Sequence, residues 1–167
     1  FMSMLPPSGR VLDLGCGGAI DTRAMLDRQF RVDAIDASST IAAIASERLG
    51  IPVECKRFDE IDVSEAYDGA WASASLIHVP RSALPSVLCR IYSALKPGGL
   101  HFATFKSGGE EGRDAAGRYY NYPDEGELRE FYRSSAPWAI ERTERYVGGG
   151  FEDGAGPWVL IQARRPA

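Results

Sequence analysis

The apolar positions of this 167-residue chain fall into short runs that alternate with stripes of helical spacing. Arg10 to Leu14 is a brief apolar run carrying one acid, which predicts a buried strand. Gly15, Gly17 and Gly18 follow at once, and a helix is expected from Ala19 to Phe30. Arg31 to Ile35 reads as a second strand ending in Asp36. Ser38 or Ser39 can cap a helix that places Ile41, Ile44, Ala45 and Leu49 on one face, and Gly50 suits its left-handed stop. Pro52 to Phe58 alternates as a third strand, and Tyr67 to Ala74 is a fourth, built of small residues. Leu84, Val87, Leu88, Ile91, Tyr92 and Leu95 form the clearest helical stripe, which Lys96-Pro97-Gly98-Gly99 stops before a fifth strand, Leu100 to Lys106.

Beyond Lys106 the pattern changes. A glycine-rich, charged stretch (Ser107 to Asp114) leads into Arg118-Tyr119-Tyr120-Asn121-Tyr122-Pro123. Asp124-x-x-Glu127 fits a capping box for a helix that buries Leu128, Phe131 and Tyr132. Trp138 to Val147 and Trp158 to Ala163 read as two last strands around a loop from Gly148 to Pro157. Strands alternating with helices predict a parallel α/β sheet, whose ligands bind at the carboxyl ends of the strands. There is no internal repeat and no boundary, so a single domain over residues 1–167 is expected.

The composition changes this picture little. A formal charge of −4 gives no field to attract nucleic acid or an anionic membrane, and no apolar run approaches a membrane span. The start, Phe1 to Pro7, lacks the basic-then-apolar order of a signal peptide. Three scattered cysteines argue against a disulfide framework and for a reducing cytoplasm, and with only His78 and His101 beside them no metal-ligand spacing arises.

Glycines between a strand and a helix let the backbone turn sharply and let a ligand approach unhindered. The loop therefore reads as a nucleotide-cofactor turn, against the plainer alternative of a tight turn with no ligand. A dinucleotide site wants G-x-G-x-x-G, and Ile20 stands where the third glycine belongs. Asp13, Gly15 and Gly17, with Ala19 in the last position, match instead the acidic-x-Gly-x-Gly-x-Gly form. Asp36 follows Gly15 by 21 residues, where an acid can accept hydrogen bonds from both ribose hydroxyls of a nucleoside; helix capping is its alternative role.

These residues, with Tyr67-Asp68-Gly69-Ala70-Trp71 and Leu95-Lys96-Pro97-Gly98-Gly99, resemble motifs of the class I S-adenosylmethionine-dependent methyltransferases over residues 10 to 106. The resemblance implies a Rossmann-like, seven-stranded, mostly parallel sheet in the order 3-2-1-4-5-7-6, with S-adenosyl-L-methionine as cofactor. It places Asp13, Gly15, Cys16 and Gly17 at the cofactor loop and Asp36 on the ribose. Phe58 and Asp59 would flank the adenine, and Ser73 would offer backbone to the methionine amino group. Against these stand a core role for Phe58, a solvated charge for Asp59 and a small turn-filling side chain for Cys16. A more local likeness, carried by Trp71 to Arg81 and Arg118 to Pro123, is to small bacterial methyltransferases labelled tellurite-resistance-related.

Methyl transfer from a sulfonium is an in-line displacement, so catalysis is mainly alignment and exclusion of water. His78, just past the fourth strand, is the candidate base, against a packed or helix-leading histidine. Arg113 and Tyr119, in the insertion after the fifth strand, are candidate contacts to a small-molecule acceptor. The alternative is a non-catalytic sensor or scaffold domain of the same fold that binds the cofactor; a nicotinamide-dependent oxidoreductase would need a catalytic domain this chain lacks. Relatives of this kind carry helices before the glycine loop, whereas nine residues precede Arg10 here and the first is Phe1. A fragment, or a chain short of part of that cap, is therefore expected.

Overall fold

The computed structural model describes residues 1–115, 117–149 and 154–167. Five strands follow the expected alternation: β1 (Arg10–Leu14), β2 (Arg31–Asp36), β3 (Val53–Cys55), β4 (Tyr67–Ala72) and β5 (Leu95–Lys106). Between them lie α1 (Ile20–Leu26), α2 (Ser39–Leu49) and α3 (Leu84–Ala94). A two-residue ladder, β6 (Gly112–Arg113) with β7 (Tyr119–Tyr120), precedes α4 (Glu125–Ser135) and the long antiparallel pair β8 (Ala139–Gly149) and β9 (Ala155–Arg164). The large sheet runs β3-β2-β1-β4-β5-β9-β8, with β9 antiparallel to its neighbours. Counting only its own strands, that is the order 3-2-1-4-5-7-6 implied by the resemblance. None of the described helices is long and apolar enough to cross a membrane.

Alternation along β1 divides the core. Leu12 and Leu14 join the large cluster under α3 and α4, where Leu84, Val87, Leu88 and Ile91 form the buried stripe read from the sequence. Val11 packs with Met25 and Val32 on the opposite face, under α1. Asp13 shares the α1 face and is 2% exposed, so its carboxylate needs an internal partner. Thr22 supplies it, donating its hydroxyl to Oδ2 at 2.6 Å, which pins the first turns of α1 to β1. At the other end of the strands Asp68 accepts from the Arg10 amide (2.7 Å) and from Lys96 Nζ (2.8 Å), tying β1, β4 and the start of β5 together.

Several boundaries differ from expectation. α1 ends at Leu26, and the third strand shrinks to Val53–Cys55, because Phe58–Glu60 winds into a 3-10 turn. β4 stops at Ala72 since Ala74 is left-handed (φ 52°), and β5 begins at Leu95 instead of Leu100. On α2 the buried face is Ala42, Ala45 and Leu49; Ile41 and Ile44, expected inside, are 40% and 61% exposed. The pairing of β8 with β9 extends to Gly149↔Ala155, well into the loop expected over Gly148 to Pro157, of which residues 150–153 lie outside the described residues.

Two consequences can be measured. Burial raises the Asp13 carboxyl to about 7, against an ordinary value of 3.8. The unfolded chain therefore ionises this group first, and folding stability falls as pH rises from about 4 to about 7, levelling off above. Asp13→Asn, which keeps an acceptor for Thr22, should gain stability relative to the parent across that window, by up to about 4 kcal/mol in thermal or urea unfolding. Gly15, at φ 73°, is tightly packed, and a Cβ there would meet Ser75 Cβ at 2.7 Å. Gly15→Ala should thus cost about 1–2 kcal/mol for the left-handed backbone and about 1–3 kcal/mol for overpacking. Gly17→Ala, at φ 51° with nothing within 4 Å, should cost only the first.

Candidate functional site

The loop at the carboxyl end of β1 meets those after β2 and β4, through Gly17 on Asp36 and Gly15 on Ser75. The turn after β1 is held to β2 by its own amides: Gly15 N and Cys16 N both donate to Ile35 O, at 2.9 and 3.1 Å. Gly17 N donates to Asp36 Oδ2 (3.1 Å), and Ser38 N to Asp36 Oδ1 (2.9 Å). Asp36 therefore stands at the tip of β2 with both oxygens oriented by backbone donors. The missing side chain of Gly17 leaves open space beside that carboxylate. Cys16 is half-buried, and burial, with Asp13 and Asp36 nearby, pushes its thiol up to about 12. It is a neutral group packed beside Ala19 and α2.

Phe58 lies against Gly15, its Cζ 3.4 Å from where a Cβ would stand, and packs on the main core. A cavity of about 300 Å³ opens between Ala37, Phe58 and Asp59 on one side and His78, Val79 and Pro80 on the other. Asp59, exposed at its rim, forms a bidentate pair with Arg57 (2.9 and 3.0 Å), whose hydrogen bonds lower its carboxyl below the usual value. Ser73 is exposed just past β4. The following Ala74 is held left-handed by its amide bond to Thr104 Oγ1 (2.9 Å). Ser75, which sequence reasoning passed over, is buried beneath Gly15 with a hydroxyl that has no partner among the described residues.

His78 borders the same cavity. Its Nδ1 is 2.7 Å from the carbonyl of Tyr119, and its ring meets the edge of Tyr120 at 4.8 Å. A carbonyl can only accept, so Nδ1 carries a proton, and in the uncharged form of the ring the lone pair falls on Nε2. Tyr119 thus approaches His78 through its backbone, while its hydroxyl donates to Glu111. Arg113 is exposed and donates to Gly117 O inside its own hairpin. The structure brings His78 and Tyr119 together but leaves Arg113 engaged locally. The second histidine, His101, is fully buried in the sheet with Nδ1 on Ala70 O (3.1 Å), and burial drives it down to about 4, neutral at ordinary pH.

Asn121 and Arg81 were not singled out from sequence. Asn121 is wholly buried, with Nδ2 donating to Leu76 O (2.9 Å) and Val79 O (3.0 Å), and its backbone amide to Ile77 O (2.9 Å). Arg81 donates to Asn121 O (2.7 Å), Tyr122 O (2.9 Å) and Glu127 Oε1 (2.7 Å). The signal available was indirect: the stretches Trp71 to Arg81 and Arg118 to Pro123 carried a common likeness, and their ends pack against each other. Among the described residues, no group of three or more His, Cys, Asp or Glu side chains is placed to hold a metal ion.

Residues 11–99 match the family described as "Methyltransferase domain". A ubiquinone biosynthesis O-methyltransferase of Pseudomonas savastanoi pv. phaseolicola is 35% identical over 100 residues, covering 56% of this chain and 42% of the relative. This chain therefore spans about two-fifths of the length of that curated relative. Among solved structures, an S-adenosylmethionine-dependent methyltransferase from Methanosarcina mazei superposes with a TM-score of 0.88 at 15% identity, over 98% of this chain and 95% of that one, a likeness of fold. The 1,6-didemethyltoxoflavin-N1-methyltransferase of Burkholderia thailandensis, solved with 1,6-didemethyltoxoflavin and S-adenosylhomocysteine, gives a TM-score of 0.79 at 26% identity over 95% of this chain and 72% of that one. With the glycine turn, the Asp36 tip and the sheet order in place, and with more than half of its length matching the family, the chain belongs to the class I S-adenosylmethionine-dependent methyltransferases.

Proposed function

We propose that this chain binds S-adenosyl-L-methionine across the tips of β1 and β2 and directs its methyl group to a small-molecule acceptor. The observation that carries the reading is the pairing of an open glycine, Gly17, with the amide-oriented carboxylate of Asp36. The adjoining cavity of about 300 Å³ is of a size for the nucleoside half of such a ligand. In this reading Asp36 takes the ribose hydroxyls, and Phe58 and Asp59 flank the base. Gly15 and Gly17 pass beneath the methionine portion, and the backbone at Ser73 meets its amino group. The buried Asp13 acts at one remove, through Thr22 and α1. The sulfonium of the bound cofactor supplies an activated methyl group. The chain's own work is to orient the acceptor, exclude water and, for an acceptor that must lose a proton, take it on Nε2 of His78. Residues 119–122, with Tyr119 against His78, border the acceptor side in this reading.

The small-molecule acceptor is supported by the 1,6-didemethyltoxoflavin and ubiquinone biosynthesis named for the relatives, and by a chain without a net basic charge. Calorimetry with S-adenosylhomocysteine tests the reading directly. The chain should bind, and Asp36→Ala should weaken binding by about tenfold or more, since hydrogen bonds to a charged group are each worth about 1.5–3 kcal/mol. Absence of binding, or equal binding by the variant, overturns it. Binding without methyl release over a broad acceptor panel would mark a sensor or scaffold of the same fold.

A further inference from the structure

The 3-10 turn Leu76–His78 and the segment 119–122 come from opposite sides of α3 in sequence, yet they are joined by a dense set of directed bonds. Asn121 Nδ2 has two protons and two carbonyls to meet, Leu76 O and Val79 O, one on each flank of the turn. Its backbone amide takes a third, Ile77 O, so a single residue satisfies three carbonyls in four consecutive positions. Arg81 grips the other side, donating to the carbonyls of Asn121 and of Tyr122, the latter a left-handed residue at φ 39°. Its remaining arm reaches Glu127, which also closes the capping box of α4 by accepting from Asp124 N at 2.9 Å. Two residues upstream of Asn121, the carbonyl of Tyr119 is thereby held 2.7 Å from Nδ1 of His78.

We propose that Asn121, with Arg81, is a positioning residue for the His78 imidazole: by fixing the Tyr119 carbonyl it locks the ring in the Nδ1–H tautomer and leaves Nε2 as the available lone pair at the cavity. A free histidine side chain favours the opposite form, with the proton on Nε2 and no basic nitrogen on that side. The selection is made by one main-chain carbonyl, whose place is set by the Asn121 bonds. It rests on the reading of His78 as the proton-accepting group, and it states which nitrogen serves and what holds it there.

The chain has two histidines, so both imidazoles can be resolved by long-range ¹⁵N–¹H correlation at about pH 8.5, above the usual imidazole range. A His78→Gln sample assigns the signals. His78 should show the Nδ1–H pattern in the parent protein. In Asn121→Ala it should lose that pattern as the dominant form and move toward Nε2–H. His101, bonded to Ala70 O deep in the sheet, should keep Nδ1–H in both and so reports that the fold is intact. Should Asn121→Ala fail to fold, Arg81→Lys keeps the charge but removes the fork to the Asn121 and Tyr122 carbonyls, and should shift His78 in the same direction by a smaller amount. An Nε2–H ring in the parent, or an unchanged His78 in the folded variant, overturns the proposal. Titration of the same samples with S-adenosylhomocysteine is independent of the tautomer, so loss of the cofactor reading and loss of this one are told apart.

Discussion

The arrangement depends on how the end of β1 is fastened to the end of β2. Gly15 N and Cys16 N converge on the single carbonyl of Ile35, and Gly17 N turns onto the Asp36 carboxylate. Three successive amides are thus spent in one direction, which is possible only because Gly15 and Gly17 adopt left-handed backbone. The turn in turn brings Gly15 down onto Ser75, so the β1 and β4 loops are packed as one body. Asp13 and Thr22 complete the frame from below by holding α1 to the strand it follows. The glycine loop, the Asp36 carboxylate and the turn bearing His78 therefore share one packed base.

Much of this was legible from the chain itself. Strand–glycine–helix order, the acid ending β2 and the α3 stripe rest on local pattern, and local pattern held. The errors have local causes too. Ile41 and Ile44 satisfy a helical stripe, yet the stripe of Ala42, Ala45 and Leu49 is the one that fits close against β2 and β3, because small side chains let α2 approach. Phe58 continued an alternating run, but the Arg57 amide donates to the Glu60 carboxylate and the Glu60 amide to the Arg57 carbonyl, which ends the strand and starts a 3-10 turn. Ala74 has no sequence mark of its left-handed backbone, which is imposed from a distance by Thr104.

The contact between the His78 turn and residues 119–122 was the least legible, and for a physical reason. Asn121 and Arg81 act on carbonyl groups 40 to 45 positions away, and backbone carbonyls look alike in every sequence. A tyrosine-rich stretch suggested side chains reaching a ligand. What Tyr119 contributes to His78 is its main chain, and its hydroxyl is engaged by Glu111. Buried polar groups with long-range partners leave no periodicity to find.

That same preference for carbonyls has an evolutionary consequence. His78, Arg81 and the Asn121 amide side chain all read the path of the opposing backbone, not the identity of its residues. Tyr119 can be exchanged for another side chain while the carbonyl that meets His78 stays moored, whereas Tyr120 is buried against the ring itself. Selection on the Tyr119 side chain is thereby uncoupled from selection on the path that orients the imidazole.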